Sequence, residues 1–236
     1  MIAGNGTDDG IGAQAQLTRV VLRDYDYRGV GVAVGFRDRV ELSFARQSFD
    51  TNRIGAALGL GRDYRFVQNV LGAKVRLAGD LVYGRMPAVA IGAQLKDGRN
   101  DAVVRALGAR ADRDVDVYVS ASRLVLAHSL LVNGTLRLTR ANQLGLLGFG
   151  GDKGGGRMLA FEGSAAWQLS RRLAIGGEYR MKPDRLGIAR EDDWVDLFAA
   201  WAVNRHVTAT IAYVDLGEIA TRPRQRGVLV QLQAGF

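Results

Sequence analysis

The sequence predicts an all-β fold, a closed antiparallel barrel of about twelve strands that spans a membrane. Three observations carry this: strict period-two alternation in segment after segment, sorting of the connections into short and long, and a terminal phenylalanine on the apolar face. Alternation is the signature of a strand with two different faces. In the last segment Val228, Val230, Leu232, Ala234 and Phe236 alternate with Leu229, Gln231, Gln233 and Gly235. Upstream, Val207, Ala209, Ile211 and Tyr213 form one face, as do Val195, Leu197, Ala199, Trp201 and Val203. Leu173, Ile175, Gly177, Tyr179 and Met181 oppose Glu178, Arg180 and Lys182, and Leu159, Phe161, Ala165, Trp167 and Leu169 oppose Glu162, Ser164 and Gln168.

The same pattern runs to the start of the chain. Val132, Leu136 and Leu138 oppose Asn133, Thr135, Arg137 and Thr139. The weakest segment is Val115, Val117, Val119 and Ala121, because Tyr118 falls on its polar face. Segments 89–95, 71–77, 40–44, 30–36 and 11–17 complete the set, many of them close to the ~9–11 residues a tilted membrane strand needs. Tight turns at Arg37-Asp38, Arg171-Arg172 and Asn204-Arg205-His206 contrast with glycine-rich or charged loops at 47–69, 97–114, 141–157, 183–193 and 215–226. Short periplasmic turns at one end and long extracellular loops at the other are the layout of outer-membrane barrels. The whole of 1–236 is expected to be one such domain.

Composition agrees and narrows the alternatives. Three prolines and no cysteine exclude a proline-rich linker, a disulfide framework and a thiol nucleophile. No apolar run of about 18 residues is present, so a spanning helix is not expected. Met1-Ile2-Ala3-Gly4 lacks the charged start and apolar core of a secretory leader, so an exported protein would here be a mature chain with an added methionine. The net charge of +8 comes from 28 arginines scattered along the chain, few beside aromatics, which argues against nucleic acid as a partner.

Two features orient the alternation. The polar face is rich in small residues (Gly31, Ala33, Gly35, Gly72, Ala78, Ala90, Gly92), which suits a crowded lumen better than a wet exterior. Trp167, Tyr179, Trp201 and Tyr213 fall near strand ends on the apolar face, where an interfacial girdle belongs. The lipid of a bacterial outer membrane is therefore the expected surrounding. Phe236, closing the last strand, fits the terminal signal read by barrel assembly machinery.

The longer motifs also carry a resemblance. Gly-Thr-Asp-Asp-Gly-Ile-Gly-Ala at 6–13, Arg-Val-Glu-Leu-Ser-Phe-Ala-Arg-Gln-Ser-Phe at 39–49 and Asn-Gly-Thr-Leu-Arg-Leu-Thr-Arg-Ala-Asn-Gln at 133–143 are distinctive. So are Gly-Leu-Leu-Gly-Phe-Gly-Gly-Asp at 145–152, Glu-Tyr-Arg-Met-Lys-Pro-Asp at 178–184 and Ala-Arg-Glu-Asp-Asp-Trp at 189–194. Together they resemble a proteobacterial outer-membrane β-barrel family of unknown function. The resemblance implies fold and compartment and brings no catalytic residues with it.

For chemistry, the candidates thin out quickly. A Ser–His hydrolase needs a histidine beside the nucleophile. The two histidines, His128 and His206, both fall in short turns, where solvated turn residues are the expectation, so no catalytic residue is named. Asp8-Asp9 and Glu191-Asp192-Asp193 lack the regular oxygen spacing of a calcium loop, so no metal is expected. The glycines at 148–156 are followed by no Lys-Ser/Thr and no helix, so no phosphate-binding cofactor is expected either.

The lumen remains. Projecting the polar face inward collects Glu41, Lys74, Arg76, Lys96, Asp116, Arg137, Glu162, Glu178, Arg180, Lys182 and Asp196 as expected pore-lining residues, six cations and five anions. Either they line a narrow passive pore for small hydrophilic solutes, or they pair across strands and fill a non-conducting structural or partner-docking barrel. A lipid-modifying enzyme is the third alternative. The apolar stretch at 54–60 is expected to be a packed loop rather than a gate. Arginines of the long loops, such as Arg53, Arg62, Arg99 and Arg222, suit the phosphates of lipopolysaccharide.

Overall fold

A computed structural model describes Ile2 and residues 10–236. Twelve strands follow one another: β1 (Ile11–Leu22), β2 (Asp26–Phe36), β3 (Val40–Asp50), β4 (Arg65–Ala78), β5 (Ala88–Gly98), β6 (Arg113–Val125), β7 (Leu130–Thr139), β8 (Met158–Gln168), β9 (Leu173–Arg180), β10 (Trp194–Ala202), β11 (Val207–Asp215) and β12 (Arg226–Gly235). Each pairs antiparallel with its neighbours in sequence, and β1 pairs with β12 to close the barrel. Closure satisfies every strand edge, which a sheet surrounded by hydrocarbon requires.

The outer face is the apolar one. Leu17, Val32, Leu42, Leu71, Leu197, Ile211 and Leu232 are all half or more exposed there, because nothing in the chain covers them. Trp167 and Trp201 stand out from this face at the short-turn end, and Tyr213 and Tyr179 at the other. The buried core lies elsewhere. It is gathered at the long-loop end, where Tyr25, Leu147, Phe149, Leu186 and Ile219 are almost wholly buried. Two short helices, α1 (Ile54–Ala57) and α2 (Asp101–Ala106), sit in these loops and contribute Ile54 and Val104 to the core. The loops thus form a packed cap.

Several expectations need adjusting. Strands β3 and β4 reach Asp50 and Arg65, so the loop expected at 47–69 is really 51–64. Its apolar stretch packs into the cap, as Ile54 shows. The short-turn end also carries one longer connection, residues 79–87, in which Asp80 accepts hydrogen bonds from the Val82 and Tyr83 amides. Conversely, β1 and β2 are joined at the loop end by only residues 23–25. Asp8-Asp9 lies outside the described residues.

Candidate functional site

Parity places the charged side chains, and cross-strand register then decides their partners. Consecutive strands β5 to β9 contribute one charge each to a ladder of alternating sign. Lys96 Nζ is 2.8 Å from Asp116 Oδ2, and Asp116 is 4.0 Å from Arg137 Nη1. Arg137 meets Glu162 through two nitrogens, Nε to Oε1 at 2.7 Å and Nη2 to Oε2 at 3.3 Å. Arg180 Nε lies 3.8 Å from Glu162 Oε2, the oxygen that also accepts from Arg137 Nη2. A bidentate guanidinium–carboxylate pair is the strong form of such a contact, and low polarity around it strengthens it further.

Neutral groups complete the ladder. Arg137 Nη1 donates to Gln94 Oε1 at 2.8 Å, and its guanidinium lies over the Tyr118 ring at 4.9 Å. Tyr118 disturbed the alternation because it is a lumen residue, held there as the platform for Arg137. The register pairs it with Gly92, where a Cβ would stand 2.4 Å from the ring. Glycine at 92 is therefore what admits the aromatic side chain into the lumen. Nearer the short-turn end, Glu41 and Lys74 are register partners and pair at 2.9 Å, and Arg76 reaches Asp38 at 2.6 Å.

These groups flank a polar cavity of about 580 Å³. Glu41, Lys74, Lys96, Arg137, Glu162 and Arg180 line it on one side, with Gln14, Gln16 and Gln233 of β1 and β12 on the other. The charges come from β3 to β9, whereas β1, β2 and β12 present amides and small residues such as Gly31 and Ala33. The cavity reaches Gly235 at the short-turn end and Leu144 at the other. Leu144 belongs to the turn Gln143–Gly145, which dips under the cap. Its carbonyl accepts from Lys96 Nζ at 2.9 Å and Gln68 Nε2 at 3.3 Å.

The remaining expected residues are distributed differently. Asp116 is fully buried behind Lys96 and Arg137, and Arg76 stands off the cavity. Glu178 and Asp196 sit directly opposite each other on β9 and β10, also outside the cavity lining. Lys182 is a correction. Strand β9 ends at Arg180, and Pro183 has no N–H to continue a ladder, so Lys182 leaves the barrel wall. Its ammonium is buried in the cap, 3.8 Å from Glu191 and 3.1 Å from the Leu216 carbonyl. Burial pushes the Lys182 ammonium down and the Glu191 carboxyl up, each opposed by the charge of the other. Glu191 also accepts from the Gln143 amide at 3.0 Å. The pair therefore ties three loops together, which local alternation could not reveal.

His206 is likewise more than a solvated turn residue. Its Nδ1 is 3.0 Å from the Gly235 carbonyl, its Nε2 accepts from Arg205 at 2.8 Å, and its ring stacks on Phe236. Among the described residues, neither histidine is hydrogen-bonded to a serine or threonine hydroxyl, and no group of three or more His, Asp or Glu side chains is arranged to hold a metal.

The barrel with its capped, charged lumen defines the class, a transmembrane β-barrel of the outer-membrane type. The chain belongs to the DUF3034 family, described as a protein of unknown function, which it matches over residues 1–233. No curated protein matches the sequence. Among solved structures, the chain is similar in fold to the KdgM porin in complex with disordered oligogalacturonate (TM-score 0.59, 10% identity, 94% of this chain and 99% of that one). It is also similar to the NanC porin (TM-score 0.57, 9% identity, 95% and 98%). A third likeness is to outer membrane phospholipase A from Escherichia coli (TM-score 0.51, 9% identity, 95% and 92%). At such identities the shared property is the twelve-stranded barrel.

Proposed function

We propose that the chain sits in a bacterial outer membrane, with its short turns in the periplasm and its cap outside, and serves as a narrow passive pore for small hydrophilic solutes. The observation that carries this reading is the polar cavity running from Gly235 to Leu144 along a row of charges. A barrel built only for rigidity gains nothing from leaving that volume unfilled by its described residues, since packing is worth more than void. The two porins of like fold support the same reading. The Gln143–Gly145 turn borders the cavity at the cap end, so in this reading the turn yields during conduction. The phospholipase of like fold shows that such barrels host chemistry, but both ring nitrogens of His206 are occupied and, among the described residues, His128 has no hydroxyl partner, which favours a non-enzyme.

A second reading, a non-conducting barrel, is favoured by one observation: the Lys182–Glu191 pair, with side chains 2% and 0% exposed, locks three loops of the cap. Planar-bilayer recording separates the two. The pore reading expects small, infrequent steps from the wild type and larger, longer ones when residues 141–157 are replaced by a tight turn. Silence from the wild type at high protein load, with the shortened variant conducting, would establish a sealed barrel. Silence from both, with folding verified by heat-modifiable migration, would place the block in the lumen itself and sink the pore.

A further inference from the structure

Not all charge is hidden in the lumen. Arg19, Arg28 and Arg46 share parity with Leu17, Val30 and Phe44, so all three stand on the outer face, and all three are exposed. They occupy adjacent strands near the loop end. Arg19 and Arg28 are direct register partners, and Arg46 opposes Val30, one diagonal step from Arg28. Like charges directly opposite on an antiparallel pair repel at about 5 Å, so this arrangement asks for an anion between them.

Among the described residues, no carboxylate is within ion-pair distance of these three. Other outward arginines at this end have carboxylates: Arg65 meets Asp50 at 2.9 Å, Arg226 meets Asp215 at 2.7 Å and Arg113 meets Asp97 at 4.0 Å. Among the described residues, Arg19, Arg28 and Arg46 form no ion pair, and although Asp26 and Asp50 share their face, Asp50 is taken by Arg65. Below the three arginines the wall is aliphatic and aromatic, with Leu17, Val30 and Phe44 all open to the surroundings. Guanidinium groups above and an apolar wall below match an amphiphile with a phosphorylated head and acyl chains.

We propose that Arg19, Arg28 and Arg46 form a binding site for the phosphorylated headgroup of an outer-leaflet glycolipid, with its chains lying on the wall of β1 to β3. The inference rests on the proposed orientation, cap outward in an outer membrane. It also differs from the expectation for the loop arginines, because these three lie on the barrel wall itself.

The test uses the folded full chain in detergent, so it reads independently of conduction. Binding of bisphosphoryl lipid A is measured by native mass spectrometry and thermophoresis, beside its dephosphorylated form, phosphatidylglycerol and inorganic phosphate. Arg19→Gln/Arg28→Gln/Arg46→Gln is expected to weaken lipid A binding tenfold or more. The control Arg39→Gln/Arg171→Gln/Arg172→Gln, three exposed arginines at the short-turn end, is expected to change it less than threefold, and heat-modifiable migration verifies both folds. Dephosphorylated lipid, phosphatidylglycerol and millimolar phosphate are expected to bind at least tenfold more weakly. Equal loss in both triple variants, no loss in either, or phosphatidylglycerol binding as well as lipid A would overturn the site. Lipid A binding without conductance would leave the site standing and remove only the pore, and conductance without specific lipid binding would do the reverse.

Discussion

Asp116 is the most informative residue to perturb, because its carboxylate is the most enclosed member of the lumen ladder. It stands between Lys96 at 2.8 Å and Arg137 at 4.0 Å, with its side chain 0% exposed and that of Lys96 only 7%. Asp116→Ala removes the anion and leaves a buried ammonium, a change that typically costs about 3–5 kcal/mol. Here the lower end applies, about 3 kcal/mol, because Lys96 keeps the Leu144 carbonyl and the adjoining cavity is polar. Adding Lys96→Met removes the stranded charge, so the double variant is expected to recover to within about 1 kcal/mol of the wild type. Urea unfolding in lipid vesicles measures this, with tryptophan emission as the reporter, since Trp167, Trp194 and Trp201 lie on β8 and β10. A single-variant loss below about 1 kcal/mol, or a double variant no better than the single, would refute the ladder as a coupled, buried network.

Other outcomes follow from the same geometry. Gly92→Ala places a methyl 2.4 Å from the Tyr118 ring and is expected to cost about 1–3 kcal/mol, with Tyr118→Ser restoring much of it in the same unfolding assay. Asp80 caps the 79–87 turn through two amides, and those hydrogen bonds hold its carboxyl below the usual range. A depressed folded-state pKa means the stabilisation is present above the ordinary carboxylate pKa and is lost as pH falls through the lower, folded value. Protection of the Val82 and Tyr83 amides, relative to the intrinsic exchange rate at each pH, should therefore fall only at pH well below about 4, and Asp80→Ala should abolish that dependence. A loss of protection beginning near neutral pH would contradict the assignment.

How much was legible in the sequence varies by level. All twelve strands and the apolar outer face were readable, because alternation is local and each strand carries it whole. Tyr118 shows where local reading stumbles. As a residue it breaks the pattern, but opposite Gly92 and beneath Arg137 it completes it. Glu41 and Lys74 could be listed as lumen charges, but their pairing depends on register, which a one-residue slip would undo. The lumen inventory omitted Leu144, which joins the cavity lining only because a loop distant in sequence packs against Lys96 and Gln68.

The arginines make the same point from outside. Arg19, Arg28 and Arg46 are unremarked in a chain of 28 arginines, and only register gathers them into one patch on adjacent strands. What the sequence alone determined is the closed antiparallel barrel and the sorting of its two faces, because solvent preference acts residue by residue with the period of the strand. What the tertiary structure decided is which charges meet, where Lys182 goes and that the long loops pack together over one end of the barrel. Those outcomes depend on register and on loop-to-loop packing, energies shared among residues that no single stretch of sequence contains.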